Sequence, residues 1–141
     1  MIGKNTIKLI KSLSEKKYRL KERLFLVEGD KNVKEVLASD FITEKLFATH
    51  SFLEHTSNVE KAKQISEVAK DEISKASLLM SPQNALALCL LPEHESLPDN
   101  LDSLSLFLDE IQDPGNLGTI IRICDWFGIK QLFCSPGCAD L

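Results

Sequence analysis

The sequence predicts an α/β protein in two units, a sandwich of helices on a small sheet followed by the opening βαβ portion of a second domain. Three observations predict it. Short strand candidates at 24–27, 42–49 and 85–91 alternate with segments of helical periodicity. A stretch at 92–103 then carries Pro92, Pro98, Asn100 and four acidic residues. Beyond it, apolar runs at 104–111 and 131–134 flank one helical segment.

Taken in order, Asn5 is placed to cap a helix whose apolar positions Ile7, Ile10 and Leu13, with Leu9 alongside, share a face. Residues 14–23 break that pattern with Glu15-Lys16-Lys17-Tyr18-Arg19 and read as a basic turn or loop. Leu24-Phe25-Leu26-Val27 is a short buried strand stopped at Glu28-Gly29. Asp30 is an N-cap for a helix through Ala38, with Val33, Val36 and Leu37 facing inward. Residues 42–49 form a second strand, 51–62 are polar and at most helical, 64–68 a short strand and 71–76 a short helix. Ser81-Pro82-Gln83 marks a stop before the continuous apolar run 85–91, a strand of the kind buried on both faces. The linker signals follow at 92–103. Then come a strand at 104–111, a turn at 112–116, a helix at 117–127 and a strand at 131–134, expected to be parallel with a right-handed crossover. Two strands and one helix bury little, so the second domain reads as truncated, with open strand edges and exposed apolar surface.

With 43% hydrophobic and 27% charged residues, the composition is that of a globular protein with a packed core. No apolar run approaches the roughly 20 residues of a membrane span, and Met1-Ile2-Gly3-Lys4 opens a mixed helix in place of a signal peptide, so no membrane association and a cytoplasmic location are expected. Cys89, Cys124, Cys134 and Cys138 show no ligand spacing, which argues against zinc, and read as buried free thiols. His50, His55 and His94 lie in polar stretches and are assigned to the surface.

The net charge of −4 is unevenly held. Residues 1–34 carry ten Lys/Arg against four Asp/Glu, net +6, while the remainder carries seven against seventeen, net −10. Such polarity suggests a local anion-binding surface, with nucleic-acid phosphate the commonest target; a solvated helix whose lysines serve solubility fits the charge equally well.

The densest motif is LDEIQDPGNLGTIIRICDWFG, residues 108–128. It sets a turn at the carboxyl end of a parallel strand, where open α/β sheets place their ligands. Pro114-Gly115 makes the turn, Asn116 caps the helix, Gly118 permits close approach, and the helix end favours an anion. Leu117, Ile120, Ile121 and Cys124 share one helix face. Arg122 lies off that stripe, its fork available for a phosphate or for a surface pair with Asp125. Neither G-x-G-x-x-G nor G-x-x-x-x-G-K-[ST] is present, which weakens a dinucleotide or P-loop reading.

Residues 108–128 resemble the first motif of the SpoU (TrmH-like) family of RNA ribose 2'-O-methyltransferases of the SPOUT superfamily: an apolar strand, D-P-x-N-x-G, and a helix with Arg six positions after the Asn. The helix, the basic segment, Leu24-Phe25-Leu26-Val27-Glu28-Gly29 and Ser81-Pro82-Gln83 are similar to the family's substrate-binding domain, which resembles ribosomal protein L30e. The resemblance implies an L30e-like α/β/α sandwich over residues 1–97 that binds RNA, a linker at 98–103, and at 104–141 the start of a truncated, knotted Rossmann-like SPOUT domain. It implies methyl transfer from S-adenosylmethionine to a ribose 2'-hydroxyl of rRNA or tRNA, with Asn116 and Arg122 at the catalytic positions. The cofactor-pocket residues are expected beyond Leu141, so the fragment itself is expected to bind RNA without cofactor or activity, and the parent protein to be a homodimer through its SPOUT domain. Because guanidinium does not deprotonate at neutral pH, Arg122 is expected to hold phosphate and stabilise developing alkoxide charge. Ile123 departs from the small polar residue many members carry after that Arg. For the RNA-binding surface the basic cluster Lys16, Lys17, Arg19, Lys21 and Arg23 is the candidate, and no metal is implied. The rival readings are a non-catalytic L30e-like RNA-binding module, which leaves residues 104–141 without a purpose, and a small metabolite-binding α/β protein, which does not account for the charge polarity.

Overall fold

The computed structural model describes residues 1–93 and 103–139, and the chain divides into two compact units at Glu93. The expected linker at 98–103, Ser103 excepted, and His94 lie outside the described residues.

In the first unit, helices α1 (Lys4–Ser12) and α2 (Lys16–Glu22) precede strand β1 (Leu24–Glu28) and helix α3 (Asp30–Ala38). Strand β2 (Thr43–Ala48), the short helix α4 (His50–Glu54), a 3-10 turn at Val59–Lys61, strand β3 (Gln64–Glu67), helix α5 (Lys70–Ala76) and strand β4 (Ala85–Leu90) follow. The sheet order is β1-β4-β2-β3. β4 is antiparallel to both neighbours and β2 is parallel to β3.

β4 explains the layering. Successive side chains of a strand point to opposite faces. Ala85, Ala87 and Cys89 meet Val33, Val36 and Leu37 of α3 and Phe52 of α4, while Leu86 and Leu88 meet Ile10 and Leu13 of α1 and Ile73 and Ala76 of α5. The run 85–89 is accordingly buried on both faces, and the unit is a three-layer α/β/α sandwich.

Several expected boundaries are corrected. Residues 16–22 form helix α2 where a turn was expected. Between Lys16 and Glu22 there is no Gly or Pro and the residues are good helix formers, but none is buried, so hydrophobic periodicity gives no signal. Arg23 ends the helix in the left-handed conformation, φ 56° and ψ 34°. Asn5 is not a cap: α1 starts one residue earlier, behind Gly3, whose carbonyl accepts from the Ile7 amide at 3.0 Å. Asp30 is the first helical residue of α3, not its cap, and its carboxylate instead accepts from the Asn84 backbone and side-chain amides at 2.8 and 2.7 Å. Gln83 Oε1 accepts from the Asp30 amide at 2.7 Å and stands 3.1 Å from where a Cβ on Gly29 (φ 92°) would lie, so both backbone and space call for glycine there.

The second unit consists of strand β5 (Ser105–Leu108), helix α6 (Pro114–Trp126) and strand β6 (Gln131–Cys134), with β5 and β6 parallel. Leu108, Leu117 and Cys138 form its core, with Leu106, Ile120, Ile121 and Leu132 packed against them. β5 is shorter than expected because Glu110 takes φ 52° and turns the chain, its amide donating to Ser135 Oγ at 3.0 Å. Phe107, Trp126 and Phe127 are mostly exposed. Of the cysteines, Cys89, Cys124 and Cys138 are buried free thiols, but Cys134, the last residue of β6, is an exposed free thiol at the edge of a two-stranded sheet that no further strand covers among the described residues. His50 and His55 are exposed.

Candidate functional site

The site begins with how α6 starts. Asp113, in extended backbone, accepts the Asn116 amide on its Oδ1 at 2.7 Å, and Pro114, whose missing N–H costs nothing there, is the first helical residue. The sequence reading had Asn116 as the cap; Asp113 holds that place. A Cβ on Gly115 would stand 3.1 Å from Asp113 Oδ1 and press on the capping carboxylate, which glycine leaves undisturbed. Gly118 has open space where a Cβ would lie, so no close approach at that position explains it.

With its amide already used by Asp113, Asn116 keeps an exposed side chain. Arg122 is exposed and makes no ion pair among the described residues, so the Arg122–Asp125 pair weighed from sequence is not formed. Six residues along a helix is about 9 Å of rise and leaves the two positions about 120° apart around the axis, so Asn116 and Arg122 do not meet directly. A ligand touching both spans the first two turns. Thr119, on the turn between them, returns its hydroxyl to the Gly115 carbonyl at 2.9 Å.

The carboxyl edge of the β5–β6 pair is closely knit. Ser135 donates its amide to the Leu108 carbonyl at 2.9 Å, Cys138 Sγ donates to the same carbonyl at 3.5 Å, and Ile111 donates its amide to Cys138 Sγ at 3.3 Å. Sequence reasoning missed the roles of Glu110, Ser135 and Cys138; the Ser-Pro-Gly run after β6 was the available turn signal. Partial burial, then the neighbouring Cys138, push the Cys134 thiol above its ordinary pKa, so it is not a ready thiolate.

The basic residues proposed from sequence lie on or at the end of α2, but several are engaged. Arg19 donates Nη1 to the Leu13 carbonyl at 2.6 Å, satisfying the end of α1. Arg23 donates Nη2 to the Leu91 and Pro92 carbonyls at 3.5 and 3.3 Å. Lys17 pairs with Glu15 at 3.0 Å, which raises its pKa, and its ammonium lies 4.8 Å from the centre of the Tyr18 ring. Lys21 is 3.7 Å from Glu22. Lys16 is exposed and makes no ion pair among the described residues. A second set went unnoticed: Lys4, Lys8 and Lys11 fall at i, i+4 and i+7 on the exposed face of α1, a spacing visible in the sequence.

No metal-binding group of three or more His, Cys, Asp or Glu occurs among the described residues, and none of their helices is long and apolar enough to cross a membrane.

Residues 4–87 match the MRM3-like substrate binding domain, and residues 103–141 match the SpoU rRNA methylase family. A 23S rRNA (guanosine(2553)-2'-O)-methyltransferase, RlmP, of Bacillus subtilis is 33% identical over 92% of this chain and 51% of its own length. The mitochondrial rRNA methyltransferase 3 of Xenopus tropicalis is 31% identical over 97% of this chain and 35% of its own. Among solved structures, one described as a TrmH-family RNA methyltransferase from Porphyromonas gingivalis superposes with TM-score 0.86 at 38% identity, covering 99% of this chain and 55% of that one. An AdoMet-bound rRNA methyltransferase from Sinorhizobium meliloti gives TM-score 0.79 at 26% identity, covering 97% and 53%. The chain thus spans about half the length of its first matched relative, and it belongs to the SpoU rRNA methylase family, with an MRM3-like substrate binding domain ahead of its SpoU segment.

Proposed function

We propose that this chain is the substrate-binding and first methyl-transfer portion of an RNA 2'-O-ribose methyltransferase acting on rRNA in the cytoplasm. In this reading residues 1–97 are the RNA-binding domain, 98–103 the linker and 104–141 the start of the SPOUT domain, through which the whole protein forms a homodimer. The observation that carries it is the exposed Arg122, without a carboxylate partner among the described residues, on a helix whose Asp113-Pro114-Gly115-Asn116 start lies at the carboxyl edge of two parallel strands.

S-adenosylmethionine is the methyl donor in this reading. The groups this chain offers along that helix are an amide and the helix end at its start and a guanidinium about 9 Å further on. The guanidinium and the helix end suit an anionic ribose-phosphate and repel a sulfonium cation, and no residue of this chain is assigned to the cofactor. Arg122 holds the phosphate next to the reacting ribose bidentately and steadies negative charge as the 2'-oxygen loses its proton. Asn116, with its backbone fixed by Asp113, offers an amide to orient the same nucleotide. Lys16 and the α1 lysines supply phosphate contacts in the first unit.

The test uses a chimera in which this chain replaces the matching half of the Bacillus subtilis relative. Arg122→Ala is expected to leave the fold unchanged and to lower single-turnover methylation with saturating cofactor roughly hundredfold or more, as deletion of a charge-stabilising donor does. Arg122→Lys is expected to recover little, since a point charge does not reproduce the fork. A near-normal rate for Arg122→Ala refutes the assignment.

A further inference from the structure

The first unit holds a cavity of about 380 Å³ at one end of its sheet, lined by Arg23, Asp40, Phe41, Ile42, Leu90, Leu91, Pro92 and Glu93. We infer that this cavity receives a single unpaired nucleobase of the RNA, with the flat base against Phe41 and its polar edge toward Asp40 and Glu93. The inference rests on the RNA-binding reading and extends it to a site that neither the sequence motif nor the α2 charge cluster identified.

Shape and composition come first. The volume lies in the range of small-molecule sites and is ample for a base. Phe41 and Ile42, adjacent large apolar residues just ahead of β2, are 47% and 49% exposed and so present apolar surface to the cavity. The site is also preformed. The Phe41 ring meets Phe25 edge to face, with centroids 5.5 Å apart and planes at 74°, and the Phe41 amide donates to Ser39 Oγ at 3.2 Å, while that hydroxyl donates to the Val36 carbonyl at 2.7 Å. A rigid ring is what base stacking requires, because little ordering entropy is then lost on binding.

Charge points to the same ligand. Arg23 lines the cavity and also closes the basic helix α2, so a base in the cavity leaves its phosphates beside Lys16, Lys17 and Lys21. The Leu91 and Pro92 carbonyls fix one guanidinium nitrogen, and Leu91 donates its amide to the Arg23 carbonyl at 2.9 Å, which orients the remaining N–H groups without neutralising them. Carboxylates only accept hydrogen bonds. Asp40 and Glu93 therefore favour a base with adjacent donors, as guanine has at N1 and N2, and disfavour uracil, whose one N–H lies between two acceptors. Unpaired, unstacked bases read by aromatic rings and polar groups are the usual route to sequence-specific RNA recognition.

The experiment measures fluorescence-anisotropy affinities of the full chain at low salt for three RNA hairpins: fully paired, with one bulged guanosine, and with one bulged uridine. The expected order is bulged guanosine tightest, by at least about fivefold. Phe41→Ala is expected to erase that preference, and Phe41→Leu to do the same while keeping apolar bulk against Phe25, stacking on an aromatic ring being worth roughly 5- to 100-fold per base. Phe41→Tyr is expected to retain it, and Lys16→Gln to weaken all three hairpins equally. Equal affinity for paired and guanosine-bulged hairpins, or an undiminished preference in a folded Phe41→Leu protein, overturns the cavity assignment while leaving general RNA binding intact. Equal binding of the two bulges overturns the donor-edge assignment. No binding of any hairpin removes the RNA-binding reading, and the cavity assignment with it.

Discussion

The start of α6 offers a test that separates two caps three residues apart in the same motif. The Asp113 carboxylate accepts the Asn116 amide at 2.7 Å and carries negative charge at the positive end of a thirteen-residue helix. Asp113→Ala removes both effects. Loss of an N-cap costs about 1 kcal/mol, and loss of the charge at the helix end adds a few tenths for an exposed group. Asp113→Asn keeps the acceptor and loses only the smaller part. Asn116→Ala, which a cap at Asn116 would make the costly change, removes an exposed side chain with no bond to the helix backbone and is expected to cost less than about 0.5 kcal/mol. Amide hydrogen exchange of residues 117–124, followed by mass spectrometry, reads this locally. At RT of about 0.6 kcal/mol, a loss of 1 kcal/mol speeds exchange through local opening about fivefold for Asp113→Ala. Asn116→Ala is expected to change it less than about twofold. Exchange accelerated as much by Asn116→Ala as by Asp113→Ala would falsify the capping geometry.

Leu88→Ala, at a position 1% exposed in the layer under α1 and α5, is expected to destabilise the first unit by roughly 2 to 5 kcal/mol in urea unfolding, against less than about 0.5 for Lys8→Ala. Arg19→Ala is expected to lower stability by about 1 kcal/mol by orphaning the Leu13 carbonyl, with little change in RNA affinity, whereas Lys16→Gln is expected to leave stability alone and flatten the salt dependence of RNA binding; the reverse pattern refutes the division between them. A bond to Glu67, with Glu54 alongside, holds the His50 pKa above its ordinary value. Its stabilising effect is therefore full below the unfolded value of about 6.5 and is lost as pH rises through the folded value. Proton NMR of the ring is expected to place its titration above the ordinary histidine value and to show it falling in Glu67→Gln; an unchanged midpoint refutes the contact.

The elements that sequence foresaw are those in which burial imposes a pattern. The run 85–91 is apolar at every position because Ala85, Ala87 and Cys89 face one layer and Leu86 and Leu88 the other, and a strand buried on both faces has no alternation to misread. Val33, Val36 and Leu37 were legible on α3 for the corresponding helical reason. α2 was not legible, because it buries no residue and owes its helical form to propensity and to the preceding α1 corner, neither of which leaves a periodic trace. The roles of Asp30 and Asn84 were hidden for a different reason: 54 positions separate them, and a hydrogen bond over that distance has no local signature.

At the site, spacing identified the motif and its direction along the helix, while hydrogen-bond ownership decided which residue does what. Asp113 and Asn116 are both good N-caps, and only the path of the turn, with Pro114 at the first helical position, gives the place to Asp113. The cationic cluster shows the limit of counting charges. Free backbone carbonyls within reach engage a positive side chain before any ligand arrives: the Leu13 carbonyl behind α1 takes Arg19, and the Leu91 and Pro92 carbonyls after β4 take Arg23. Lys4, Lys8 and Lys11, one or two turns apart on α1, are exposed and can reorganise around a phosphate backbone, while the arginines hold the frame in place.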